Sequence, residues 1–68
     1  MKRQPIKSRN LAEVGFEANT LEILFHSGKV YRYKGVAESV YAKLLTAESA
    51  GKFFAEHIMP NYTGKLVK

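Results

Sequence analysis

Sixty-eight residues with a net charge of +5, no cysteine and 46% apolar side chains set narrow bounds. A chain of this length forms one small domain around one core, which leaves no room for a catalytic domain with a lid. The lack of cysteine excludes a disulfide framework or a thiolate metal site; it fits a reducing, cytoplasmic setting, and the apolar content is that of a folded domain.

Residues 1–10, MKRQPIKSRN, carry Lys2, Arg3, Lys7 and Arg9 and show no periodicity. No apolar stretch follows them, so they do not form a secretory signal, and no run in the chain reaches the length of a membrane span. Residues 1–7 are expected to be a flexible basic arm. Residues 11–17, LAEVGFE, alternate, with Ala12, Val14 and Phe16 on one parity and Glu13, Gly15 and Glu17 on the other. That pattern predicts a strand with one buried face. Ala18-Asn19 suits a turn, because Asn tolerates positive φ. Residues 20–26, TLEILFH, alternate again: Leu21, Ile23 and Phe25 share a face, and Thr20, Glu22, Leu24 and His26 share the other. Gly28 marks the next turn and residues 29–34 make a third strand, which completes an antiparallel meander.

The register of the second hairpin decides where Tyr31-Arg32-Tyr33-Lys34 points, since a slip of one residue reverses every side chain. A two-residue turn at Ser27-Gly28 would set Ile23 against Arg32 and Leu21 against Lys34, placing two cations on the apolar face. A three-residue loop, His26-Ser27-Gly28 with Gly28 left-handed, sets Ile23 against Tyr31, Leu21 against Tyr33, Leu24 beside Val30 and Glu22 beside Arg32. The second register joins apolar to aromatic and pairs opposite charges, and it is the one expected.

After Gly35 the period changes. Val36, Val40, Tyr41, Leu44 and Leu45 form one helical stripe, with Glu38 near the positive end of the helix dipole. Ala50, Phe53, Phe54 and Ile58 form a second stripe, with Ser49 as its N-cap and Met59-Pro60 as its end. The expected fold is α+β: a three-stranded antiparallel meander followed by two helices packed on one sheet face (βββαα). Residues 8–62 make the domain and residues 63–68 a C-terminal tail, in which Leu66 and Val67, with Tyr62 before them, either dock or add a short strand.

The run S-x-N-L-x-x-V-G-F-E from Ser8 to Glu17, the run T-L-E-I-x-F-x-x-G-x-V-Y-R-Y-x-G-V from Thr20 to Val36, and A-E-S-x-G-K-F-F from Ala47 to Phe54 together resemble the KTSC domain family. The Y-x-Y at Tyr31 and Tyr33 is its hallmark, and Phe16 departs from it where a tyrosine is common. The resemblance implies a small domain, found at the C-terminus of some lysyl-tRNA synthetases and as free-standing bacterial and phage proteins. The family's function is not established. RNA binding is the suggestion that its synthetase context carries, and a fold alone confers no function.

The residues offer three candidate sites. Tyr31, Arg32, Tyr33 and Lys34 would serve a nucleic acid as stacking rings beside cations, with Lys7 and Arg9 of the arm and Lys52 adding charge. The expected register, however, sends Tyr31 and Tyr33 under the helices and leaves Arg32 and Lys34 on an open face shared with Glu13, Glu17 and Glu22; burial tendencies favour a core strand. Ser49, Gly51 and Lys52 stand at a helix start, where free amides attract anions, though a capped helix with Gly51 closely packed accounts for the same residues. His26 and His57 lack partners at metal or acid–base spacing, so no metal, cofactor, catalytic residue or small-molecule substrate is expected. The reading is a non-enzymatic, cytoplasmic binding module directed at RNA, either tRNA or a single strand. The alternative is a protein-interaction module using the edge of the third strand, unless the tail covers it.

Overall fold

The structure, a computed structural model of the chain, describes residues 2–68. Its elements are β1 (Arg3–Pro5), β2 (Leu11–Glu17), β3 (Thr20–Phe25), β4 (Val30–Lys34), α1 (Glu38–Thr46), α2 (Ala50–Phe53), which continues as a π-helical turn (Phe54–Ile58), and β5 (Gly64–Leu66). The strands form one antiparallel sheet whose spatial order is the chain order, β1-β2-β3-β4-β5. The helices cover one face of it. The α+β class holds, but four strands precede the helices rather than three.

The additional strand lies in the expected arm. Arg3, Gln4 and Pro5 pair with Gly15, Val14 and Glu13. Three residues without alternation give no strand signal, and Pro5 is tolerated because β1 is an edge strand with one unpaired side. Met1 lies outside the described residues. The tail supplies the other edge: Leu66, Lys65 and Gly64 pair with Tyr31, Arg32 and Tyr33, and Val67 N donates to Val30 O at 2.8 Å. The outer side of β4 is therefore occupied, and β5 is the edge in its place.

The β3–β4 hairpin takes the charge-matched register, with Leu21 opposite Tyr33, Glu22 opposite Arg32, Ile23 opposite Tyr31 and Leu24 opposite Val30. Gly28 has φ +95°, and the loop closes with Gly28 N donating to Phe25 O and Phe25 N donating to Lys29 O, both at 2.9 Å. On β2 the expected alternation fails at one point. Leu11 faces Phe25 but Glu13 already faces Leu24, so Ala12 is the extra residue of a β-bulge. The bulge turns Leu11, rather than Ala12, onto the face of Val14, and both are fully buried.

In α1, Leu44 is fully buried and Val40 and Tyr41 pack against the core, while Leu45, expected on the same stripe, is 38% exposed. Ser49 caps α2 as expected, its Oγ accepting from Lys52 N at 3.2 Å. The second helix then widens: Met59 N donates to Phe54 O, five residues back, at 2.9 Å. Met59 keeps helical angles (φ −56°, ψ −44°) despite preceding proline, so the helix stops because Pro60 has no N–H to donate. Leu11, Val14, Leu21, Ile23, Val36, Leu44 and Ile58 fill the space between helices and sheet.

Candidate nucleic-acid interface

The sheet face away from the helices is organised by one transverse row. Strand pairing sets Arg3, Gly15, Glu22, Arg32 and Lys65 side by side across all five strands. Glu22, at the centre, is only 5% exposed. Arg32 Nε donates to its Oε1 at 2.6 Å, and Arg3 Nη1 lies 3.2 Å from its Oε2. Arg3 Nε also lies 3.2 Å from Glu13 Oε1. A carboxylate is costly to bury unless paired, and here the two guanidinium groups answer both of its oxygens. Arg3 thus joins this face, which residues 11–34 alone had suggested to be acid-rich, and Arg3 and Arg32 balance Glu13 and Glu22.

Toward the β5 edge the same face becomes basic. Arg32, Lys34 and Lys65 line a groove of about 590 Å³ with Asn61, Tyr62, Thr63 and Val67. Among the described residues no carboxylate lines it. Arg32 and Lys34 come from alternate positions of β4, and β5 places Lys65 directly opposite Arg32. Arg32 remains about half exposed although its Nε is held by Glu22, which fixes the guanidinium while leaving its terminal nitrogens to meet an anion.

The KTSC domain profile matches residues 7–62. The chain belongs to the KTSC domain family. It is similar to a protein of Stutzerimonas stutzeri (strain A1501), described only as an uncharacterized protein, with 38% identity over 64 residues that cover 91% of this chain and 90% of that one. The crystal structure of a KTSC domain protein from Yersinia pestis superposes with a TM-score of 0.93 at 30% identity, covering 98% of this chain and 97% of that chain.

The hallmark Y-x-Y of this KTSC domain points away from the basic groove. Tyr31 and Tyr33 lie on the helix side; Tyr33 is buried and Tyr31 half-buried. Burial, and secondarily the neighbouring Tyr31, raise the Tyr33 pKa above the ordinary tyrosine value. The remaining candidates are dispersed. Lys7 and Arg9 are exposed in the loop between β1 and β2, and Arg9 borders a hollow with His26 and Met59. His26 Nε2 is 2.9 Å from Ser8 O. Lys52 is exposed beside Glu48 and Glu56. Ser49 is engaged as a cap, and a Cβ on Gly51 would come within 3.2 Å of Ser8 Oγ, so close packing accounts for that glycine. Lys65 is the groove residue that sequence reasoning missed. Only its pairing with Arg32 reveals it, and the tail residues leave a short strand as one of two alternatives without a register. Among the described residues no cluster of metal-ligating side chains occurs, and no helix is long and apolar enough to cross a membrane.

Proposed function

We propose that this KTSC domain is a non-enzymatic RNA-binding module that holds phosphates along the groove of Arg32, Lys34 and Lys65. The observation that supports it is the convergence of three cations from two adjacent strands on one groove without a carboxylate. Such a groove tracks a phosphate backbone by charge and releases counterions from it. Sequence preference is not required for that, and the basic arm residues Lys7 and Arg9 add to the long-range field.

Fluorescence anisotropy with tRNA and with a single-stranded RNA oligonucleotide at several salt concentrations tests the reading. For three phosphates on a single strand, log K against log salt has a slope of about −2, and Lys34→Ala or Lys65→Ala each reduce it by about 0.7. Absence of binding at low salt, or binding indifferent to salt, overturns it. A second reading, a protein-interaction module, draws support from the β5 edge, where Leu66 is 54% and Val67 45% exposed. A stoichiometric protein partner that survives nuclease treatment and is lost on Leu66→Lys would favour it.

A further inference from the structure

On the helix side of β4, between the sheet and the π-helical turn, lies a cleft of about 470 Å³, within the about 300–1,000 Å³ typical of ligand sites. Phe25, Tyr31, Tyr33, Phe54, Met59 and Tyr62 form its walls. Their rings hold one another edge to face: Phe25 meets Tyr31 at 5.7 Å and 85°, Phe25 meets Phe54 at 5.7 Å and 71°, and Tyr33 meets Phe54 at 5.4 Å and 80°. Phe25, Tyr31, Tyr33 and Phe54 therefore give this open cleft an aromatic wall that is already packed in place. The π-helical turn contributes two of its walls, since the bond that defines the turn joins Phe54 to Met59, and such turns often accompany functional sites.

Charge selects the guest. Lys29 lies at the cleft and Arg9 and His26 line the adjoining hollow, while neither is lined by a carboxylate. Position selects it further. Tyr62 lines both this cleft and the basic groove, and β5 separates them, with Gly64 on the cleft side and Lys65 on the groove side. We propose that the cleft receives one unstacked nucleobase of the RNA strand lying in the groove, stacked on the aromatic walls with its phosphate near Lys29. This rests on the RNA-binding reading. Every base offers a π-face to such walls, so the site is tolerant of base identity, and the half-buried Tyr31 carries a phenol, a hydrogen-bonding group that an aliphatic guest would not use.

Two measurements separate this proposal from the reading beneath it. In the first, protein with labelled aromatic rings is titrated with a nucleoside 5′-monophosphate, and in parallel with inorganic phosphate and with a blocked tyrosine amide. The monophosphate is expected to shift the Tyr31, Phe25 and Tyr62 ring signals. Lys29→Ala is expected to weaken it about 1.5- to fivefold, the range of an exposed charge contact. Met59→Glu, at an exposed rim position, is expected to abolish the shifts while the rest of the spectrum stays folded. No shift, equal shifts from phosphate alone, or preferential binding of the tyrosine amide overturns the proposal. In the second, oligonucleotides carrying 2-aminopurine at each position in turn are bound: anisotropy reports the groove, and quenching of the fluorescent base at any position, relative to the free strand, reports the cleft. Binding without quenching sinks the cleft proposal and leaves the groove standing. Monophosphate shifts without oligonucleotide binding sink the groove and the proposal with it, since no RNA strand then delivers a base.

Discussion

Gly15 sits directly across the ladder from Arg3, and a Cβ there would lie 2.6 Å from the Lys2 carbonyl oxygen and 3.0 Å from Arg3 Cγ. The glycine is what lets β1 close onto β2 with Arg3 reaching over it to Glu22. Its requirement is spatial, because its φ is not in the left-handed region.

Gly15→Ala is accordingly expected to displace β1 rather than to strain β2. The steric conflict is with backbone, which does not swing aside, and overpacking of this kind costs about 1–3 kcal/mol. Urea denaturation measures that loss. Arg3→Ala, which removes the side chain and leaves the strand, should cost less.

Glu22→Gln separates stability from binding. The neutral amide no longer balances Arg3 and Arg32, and losing charged hydrogen bonds at a buried group costs about 1–3 kcal/mol. The same change adds one positive charge to the face and frees Arg32, so RNA affinity at low salt should rise while the unfolding midpoint falls. Denaturation and anisotropy on the same variant check both signs. A variant that is less stable and also binds more weakly would contradict the groove assignment.

The β2–β3 turn carries a removable strain. Ala18 and Asn19 both have positive φ, 50° and 59°, the left-handed pair that a tight two-residue hairpin turn demands. Asn accepts this conformation, but Ala pays about 1 kcal/mol for it. Ala18→Gly or Ala18→Asn is expected to stabilise the protein by about 0.5–1 kcal/mol, read as a higher urea midpoint with an unchanged slope.

Tyr33 gives the fold an alkaline limit. Burial, then the neighbouring Tyr31 phenol, raise its pKa in the folded state. Above the ordinary tyrosine pKa of about 10, the unfolded chain loses that proton before the folded one does. Stability is therefore held below that value and falls as pH climbs from it toward the folded pKa. Tyr33→Phe should flatten the decline. Urea midpoints on either side of the ordinary value, with phenolate absorbance followed alongside, measure it.

Much of this was legible in the residues because independent constraints agreed. Gly28, the Glu22–Arg32 charge match and the Leu24–Val30 contact all required one register of the second hairpin, and the hydroxyl of Ser49 marked a helix start. What escaped reading was short or non-local. Arg3–Pro5 and Gly64–Leu66 are three residues each, too few to show alternation: the first gives no strand signal, the second leaves docking and strand addition open, and each becomes a strand only because an existing edge templates it. The bulge at Ala12 kept Leu11 and Val14 on one face where strict alternation divides them. Most consequential for function, nothing in the residues sets Lys65 beside Arg32, and the expected register places the tyrosines in the core although Tyr31 also lines an open cleft.

The sheet's neighbour order has a kinetic corollary. The β1–β2, β2–β3 and β3–β4 ladders join segments separated by short connections, whereas β5 returns to β4 only after both helices have intervened. Closing that longer loop costs more entropy for a ladder of only three pairs, so β5 is the strand expected to breathe first. Gly64 lies against the ring of Tyr33, where a Cβ would come within 2.5 Å of it. Each excursion of β5 would therefore uncover that ring and open the cleft and the groove toward each other. Amides of β5 should exchange with solvent well ahead of those of β2 and β3, making this edge a shutter between the two faces of the sheet.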